Sequence, residues 1–597
     1  MHCYRIIVFL HAKIILLFMS DKKQAFWFIV ILSVLVIIPF LGETIFYSKG
    51  EPREAIVGYA ILESGNWILP LNYGMDIAYK PPFLYWLIAA FSTLFGGVTE
   101  FSSRFPSAIS FLAMQFVVFT FFAKRKNVET AFLTSILLLT SFEVHRAAVA
   151  CRLDMLQVSL IVISLCLLYR WDERHCRNFP WLAIILMACA SLTKGPVGSV
   201  FPCLVIGIYQ LMRGRAFGRT FLSLFAIGLL SLIPLTLWFV AAYYQGGQAF
   251  SDLMMEENTG RLLGKMSYES HNNSVWYNFL TLVWGWIPWV LVLLIASFYL
   301  KWNGFHNSLK KATSIQQLKN AWFKFRNLPP IQLFTWLVII IIFIFYCIPK
   351  SKRSVYLLPI YPFMAVLIAE YLLALAQRGV KFFKFSAIFF MSLCILFTVI
   401  FVIVRCGLLP DSIWGAGRHA AENIAYMHAL QEIKLSFSKW ILIFLPLIAA
   451  ACIFFALRNH ANARTLLYGL GGCFLSLFIV MDGVYQPTVL AVKSDKHLAD
   501  QVRGYVSDGV IYSYSKMSFY CTNFYLNDRM RHFEKLLPAG EGYVLLPENL
   551  NDEFLNRFRR DYKLKEVFLT EKRSCDLRTR IYMYKFNANS CTPKDVQ

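Results

Sequence analysis

The chain has 597 residues, 58% hydrophobic and 16% charged, with a mean hydropathy of +0.54. A soluble globular chain carries about a quarter charged residues, so that class is excluded and a polytopic membrane protein is implied. The net charge of +23 invites a nucleic-acid partner, but Lys and Arg collect in short loops between apolar runs, as the positive-inside rule expects, which sets nucleic acid aside.

Residues 1–18 have no evident role. Met19-Ser20-Asp21-Lys22-Lys23 reads as a natural cytoplasmic start, and no small-residue cleavage site precedes the Lys pair. Apolar runs of about 20 residues, enough to cross about 30 Å of hydrocarbon, then recur along the chain. They fall at roughly 26–46, 105–123, 129–142, 155–169, 180–193, 197–212, 220–242, 277–300, 331–348, 355–376, 385–405, 439–457 and 465–482. The run 83–97 is left out because its 15 residues suit an interfacial helix. With it outside the membrane, the basic loops at Lys124–Asn127, Arg170–Asn178, Arg213–Arg219, 301–330, Arg378–Lys384 and Arg458–Arg464 all share a side with Lys22 and Lys23. If it spanned, each of them would change sides, against the charge rule.

The expected organisation is a cytoplasmic N-terminus (1–25), an all-α transmembrane domain of about 13 helices (26–482) and a soluble C-terminal domain (483–597). The first outer loop occupies 44–104. The tail alternates helical patterns (495–506, 551–562) with strand-like ones (510–515, 543–547, 567–570, 581–586), which indicates a small α/β unit. The 14 Cys include no CxxC pair, and those in the spans read as small apolar residues. Cys575 and Cys591 in the tail are available for pairing in an oxidising compartment.

The spans hold almost no ionisable residue away from their ends, unlike ion-coupled transporters. Charge gathers instead at the outer face: Glu51, Arg53, Glu54 and Lys80; Arg146, Arg152 and Asp154; Lys194; Arg261, Lys265 and His271; Lys350, Lys352, Arg353 and Tyr356. The basic cluster at 350–353 is unexpected on that side. Cations and carboxylates at the mouth of a helical bundle suit a phosphate-bearing lipid. Lys or Arg stabilises the phosphate that leaves, and a carboxylate takes the proton of an attacking hydroxyl. Plainer roles exist for several of these residues: Lys80 as an interfacial anchor before Pro81-Pro82, Asp154 as a helix cap, and His271 as a solvated loop residue.

The motifs of this region carry a resemblance. Glu51-Pro52-Arg53, the ESGNWILP run Glu63–Pro70, Asn72-Tyr73-Gly74, Lys80-Pro81-Pro82 and Tyr85-Trp86 resemble the first outer loop of the aminoarabinose lipid A transferases. These are relatives of the protein O-mannosyltransferases among the GT-C membrane glycosyltransferases. The likeness continues through Arg104–Ala108, Arg152–Leu156, Leu192–Pro196 and Gly285–Trp289 to Lys350–Pro362, in order over about residues 26–375. It implies a GT-C fold with interfacial helices in loop one. It also implies donor-phosphate contacts from Lys80, Arg261, Lys350, Lys352, Arg353 and Tyr356, with Arg53, Arg152, Lys194 and His271 nearby. The family usually has Asp-Glu where this chain has Gly50-Glu51, so the resemblance leaves the acid to Glu51 or Asp154.

The resulting expectation is a hexosyl- or pentosyl-type transferase in the inner membrane with its site on the periplasmic side. It would move a sugar from a polyprenyl phosphate to a lipid A-like or protein acceptor. No cofactor is required, and a divalent metal is compatible with the site. Alternatives are a lipid-linked sugar flippase and a non-catalytic lipid- or sugar-binding relative. The tail, lying beyond the family-like motifs, is expected to do no chemistry.

Overall fold

The computed structural model describes residues 21–78, 80–257, 272–298, 315–415, 417 and 419–589. The chain enters the bundle through α1 (Lys22–Ile37), whose first turn is capped by Asp21 accepting from Lys23 N. Loop one then folds on itself as α2 (Pro52–Ser64), a short hairpin of β1 (Leu71–Asn72) and β2 (Asp76–Ile77), and α3 (Phe83–Leu94). The hairpin turn places Tyr73 and Gly74 at φ 53° and 74°. A Cβ on Gly74 would lie 2.5 Å from Arg531 Nε, so the turn needs glycine both for its backbone and for the contact. At 12 residues and about 1.5 Å per residue, α3 is too short to cross the hydrocarbon.

The next helices are α4 (Glu100–Arg125), α5 (Val128–Leu139), α6 (Phe142–Ala148), α7 (Leu153–Glu173), α8 (Trp181–Lys194), α9 (Val197–Met212) and α10 (Phe217–Met255). They are followed by α11 (Trp276–Gly285), α12 (Trp289–Phe298), α13 (Ile315–Arg326), α14 (Pro330–Cys347), a 3₁₀ segment (Ser354–Ile360), α15 (Tyr361–Arg378) and α16 (Lys381–Arg405). Then come α17 (Ala420–Glu432), α18 (Phe437–Arg458), α19 (Ala463–Val480), a π turn at Met481–Tyr485 and α20 (Gln486–Ala491). Among the described residues eight helices are long and apolar enough to span, or ten if the bent pairs α5/α6 and α11/α12 each count as one. The count expected from hydropathy is higher because it includes α1, α8 and α9, which at 14 to 16 residues fall short of a full crossing.

In a bilayer, helix association depends on close backbone approach and interhelical hydrogen bonds more than on burial from water. Both occur here. Gln115 Nε2 donates to Ser33 Oγ at 2.8 Å between α4 and α1, and the hydroxyls of Ser191, Ser199 and Ser231 chain α8, α9 and α10 together at 2.8 Å per link. The Gly285–Trp289 motif forms the 100° bend between α11 and α12. It fits against the α5/α6 bend through two contacts, Phe142 N donating to Ile287 O at 2.9 Å and Trp289 Nε1 donating to Thr140 Oγ1 at 2.7 Å, while Trp286 stacks on Tyr361 at the start of α15. Any side chain at Gly285 would collide with the Tyr361 hydroxyl, 1.8 Å from where its Cβ would lie.

After α20 come α21 (Lys496–Tyr505), β3 (Ile511–Ser513), α22 (Tyr520–Tyr525), β4 (Met530–His532), α23 (Phe533–Leu536), β5 (Glu541–Pro547), α24 (Asn551–Phe558), β6 (Tyr562–Leu569) and β7 (Ile581–Ala588). The five longer strands order as β4-β3-β5-β7-β6, parallel across β4-β3-β5 and antiparallel across β5-β7-β6. This unit sits on loop one. Phe46 N donates to Tyr525 Oη at 2.8 Å, Tyr525 Oη donates to Glu100 Oε1 at 2.7 Å, Tyr73 N donates to Asp528 Oδ1 at 3.1 Å, and His532 Nε2 meets Asp76 Oδ2 at 2.7 Å.

Candidate active site

Four segments meet at the loop-one end of the bundle: the start of α2, the turn before α7, the C-terminus of α8 and the stretch 349–356, which runs into the 3₁₀ segment ahead of α15. Glu51, at the N-terminal end of α2, is buried and spends both carboxylate oxygens. Arg104 on α4 donates from Nε to Oε2 at 2.8 Å and from Nη2 to Oε1 at 3.1 Å, and Cys151 N donates to Oε2 at 2.8 Å. Arg104 also donates from Nη1 to the carbonyls of Leu41 at 2.7 Å and Thr44 at 2.5 Å. One buried ion pair thus ties the segment after α1, loop one and the α6–α7 turn together. Burial pushes the Glu51 carboxyl up, but the Arg104 guanidinium and the Cys151 N–H outweigh it and hold it below its usual range. A carboxylate so saturated is an anchor and a poor proton acceptor.

Asp154 lies in the first turn of α7 but does not cap it. Its Oδ1 takes the Lys194 ammonium at 2.5 Å, and its Oδ2 accepts no hydrogen bond among the described residues. Lys194 in turn lies 4.8 Å from the centre of the Tyr356 ring, which stacks on Tyr346. Arg152 and Arg353 are within Coulombic reach of the same carboxylate. Neither guanidinium makes a hydrogen bond among the described residues, and the Nε of Arg353 is buried without a partner. Arg152 lies directly over Gly50: a Cβ there would fall 2.2 Å from Arg152 Nη2. The position where the resembled family carries Asp is therefore filled, in this chain, by a guanidinium reaching in from the α6–α7 turn.

The remaining residues named from the sequence are placed as follows. Lys80 pairs with Glu257 at 2.7 Å, just beyond α10, a partner that lay unmarked in a loop and that no spacing pointed to. Gly247, at φ 56°, breaks α10, and ahead of the break the helix meets loop one, where Trp238 Nε1 donates to Ile68 O at 2.9 Å. Arg53 pairs with Glu54, whose other oxygen accepts from Tyr85 Oη at 2.7 Å. Lys352 is buried and its ammonium donates to Pro349 O at 2.5 Å, while Lys350 is exposed and serves through its carbonyl, which accepts from Asn273 N at 3.2 Å. Arg261 and His271 lie outside the described residues, as do Lys265 and Cys591. Sequence reading also missed the buried His145–Asp482 pair, 2.6 Å apart, which joins α6 to the π turn; only the structure brings two residues so distant in sequence together.

Comparison with known proteins gives a consistent picture. The family model described as dolichyl-phosphate-mannose-protein mannosyltransferase matches residues 79–238. An uncharacterized protein of Aquifex aeolicus is 27% identical over 62% of this chain and 68% of its own length. The undecaprenyl phosphate-alpha-4-amino-4-deoxy-L-arabinose arabinosyl transferase of Shewanella sediminis is 25% identical over 62% of this chain, and transferase 2 of that name from Proteus mirabilis 28% over 55%. The matches span 64% and 56% of those two enzymes, less than two thirds of each. The crystal structure of ArnT from Cupriavidus metallidurans bound to undecaprenyl phosphate superposes with a TM-score of 0.65 at 19% identity, covering 95% of this chain and 99% of that one. In sequence the chain is similar to the aminoarabinose transferases, and it shares the fold of ArnT, a membrane protein of many helices with a small C-terminal sheet.

Proposed function

We propose that the protein is a glycosyltransferase that takes a sugar from a polyprenyl-phosphate donor and passes it to a hydroxyl of a lipid A-like or protein acceptor. We place it in the inner membrane with its site on the periplasmic face. The observation that carries this reading is the pair of guanidinia, Arg152 and Arg353, which make no hydrogen bond among the described residues and flank an Asp154 already held by Lys194. Such a set receives an anion: the donor phosphate binds Arg152 and Arg353, and they stabilise the charge that grows on it as the sugar departs. The acceptor oxygen attacks the anomeric carbon, the carbon–oxygen bond to phosphate breaks, and the polyprenyl phosphate leaves with the electron pair. The acceptor proton passes to Asp154 Oδ2 or, through it, to water, with inversion at carbon. Lys194 fixes the Asp154 rotamer, and Tyr356 forms the wall beside it.

Relatives named as arabinosyl transferases and a fold neighbour crystallised with undecaprenyl phosphate support the donor class, and a pentosyl donor is favoured on that ground. The test is reconstitution of the purified protein with undecaprenyl-phosphate sugars and lipid A, read by mass spectrometry. It is paired with lipid and glycoprotein profiles of a deletion strain. Transfer of sugar with release of undecaprenyl phosphate is the expected result. Donor movement across a proteoliposome bilayer without transfer would replace this reading with a flippase.

A further inference from the structure

We propose that Cys521 and Cys575 form a disulfide that clamps the β6–β7 loop of the C-terminal unit to α22, the helix seated on loop one. The proposal rests on the reading above that puts this unit on the oxidising side of the membrane. Cys521 and Cys575 converge on one carboxylate, with Cys575 Sγ 3.9 Å from Asp576 Oδ1; each thiol bears on the other's titration, and both backbones are fixed by hydrogen bonds. Cys521 N donates to Asp576 Oδ2 at 2.7 Å, so the residue after Cys575 is tied to Cys521 itself. Cys575 N and Ser574 Oγ both donate to Asp495, at 2.8 Å and 2.6 Å. Cys521 Sγ also lies 3.3 Å from Phe46 O and Ser494 Oγ donates to that carbonyl at 2.5 Å, so the pair sits where the C-terminal unit meets loop one.

Asp495, Cys575 and Asp576 cluster closely enough to suggest a metal site. Both Asp495 oxygens and Oδ2 of Asp576, however, already serve the backbone and Ser574, which accounts for the carboxylates without an ion. The two cysteines brought to these carboxylates are what remains unexplained.

The bond forms by exchange with a protein disulfide of the thiol–disulfide oxidase class. Cys575, partly exposed where Cys521 is buried, loses its proton and attacks the oxidase disulfide, releasing one oxidase thiol. Cys521 then loses its proton and displaces the second, so two electrons and two protons leave the pair and the oxidase departs as a dithiol. The linkage closes a long loop of the C-terminal unit, the kind of cross-link that restricts the unfolded chain most.

The full chain, expressed in its own membrane, is alkylated at harvest without reductant, digested and mapped by mass spectrometry. A tag after residue 597 reports which side the tail occupies, and metal content is measured on the same sample. A Cys521–Cys575 linked peptide in most molecules is expected, with a thermal midpoint that falls on adding reductant in the unmodified protein but not in Cys521→Ser or Cys575→Ser. Both cysteines alkylated in a chain whose tag is reachable from outside overturns the disulfide. Both alkylated with the tag unreachable overturns it through the outer-face reading on which it rests. Stoichiometric zinc lost in Cys575→Ser overturns it in favour of a metal centre.

Discussion

Replacing Glu51 by Gln separates an anchor from a base. Glu51 and Arg104 are both buried, joined by two hydrogen bonds, with Cys151 N on the same carboxylate. Removing one charge of such a pair costs about 3–5 kcal/mol, because the other is left uncompensated in a medium that solvates it poorly. Gln retains one carbonyl oxygen and so part of the hydrogen bonding, which puts the expected loss near the lower end, about 3 kcal/mol. Thermal unfolding of the detergent-purified protein, followed by intrinsic Trp fluorescence, should show a midpoint several degrees lower, and the amount of folded protein recovered from membranes should fall with it. Turnover per folded molecule should drop less than tenfold. The Glu51→Met/Arg104→Met double variant removes both charges and should recover much of the lost stability. The pH dependence has a definite sign. The folded carboxyl titrates below its ordinary 4.5, so the stabilisation is complete above about pH 4.5 and is lost as pH falls through the folded value. It is flat from pH 6 to 8. A Glu51→Gln protein with an unchanged midpoint and turnover a hundredfold lower would refute the argument and make Glu51 the base.

Asp154→Asn should show the opposite pattern: donor binding retained, turnover down about a hundredfold to ten-thousandfold, the cost of losing a general base. Equal turnover would remove Asp154 from the chemistry. Arg152→Gln should weaken binding of undecaprenyl phosphate, measured by displacement of a fluorescent polyprenyl phosphate, and change the thermal midpoint little, because this guanidinium makes no hydrogen bond among the described residues. Unchanged affinity would mean the anion sits elsewhere. Lys80→Met removes one charge of a buried pair and should lower stability, which Lys80→Met/Glu257→Gln recovers in part. If donor affinity is normal in that double variant, Lys80 is a tether between loop one and α10 and not a phosphate ligand. In the C-terminal unit, burial and then the Asp495 charge push Asp576 from 3.8 up to about 7. Its contribution is complete at pH below the unfolded value and lost as pH rises through about 7, so Asp495→Asn should flatten the change in midpoint between pH 5 and 8.

What the sequence determined follows from patterns that are local in the chain. Apolar runs must be helical in hydrocarbon because every backbone N–H and C=O needs a partner within its own segment, so the positions of the spans were legible from hydropathy. The short length of 83–97 marked it as an interfacial element, and α3 has only 12 residues. In the tail, alternation of period two and period 3.6 indicated α21, β5, α24 and β7, but β4 and α22 were missed, being three and six residues long and shaped by their neighbours. Order-dependent motifs gave the family resemblance, and with it the set of charged residues at one end of the bundle.

Pairing was decided only by the tertiary structure, because it joins residues that no periodicity relates. Glu51 and Arg104 are 53 positions apart, and Lys80 and Glu257 are 177 apart. From the sequence Glu51 and Asp154 are interchangeable as the acid. In the fold, one has both oxygens occupied and the other keeps an oxygen without a hydrogen-bond partner among the described residues. Gly50 reads as a missing acid in one dimension, whereas in three it is the space that Arg152 occupies. Hydrophobicity along the chain selects which segments are buried. Which charges meet depends on how bent helices and loop one pack against each other, and that packing is a property of the whole bundle.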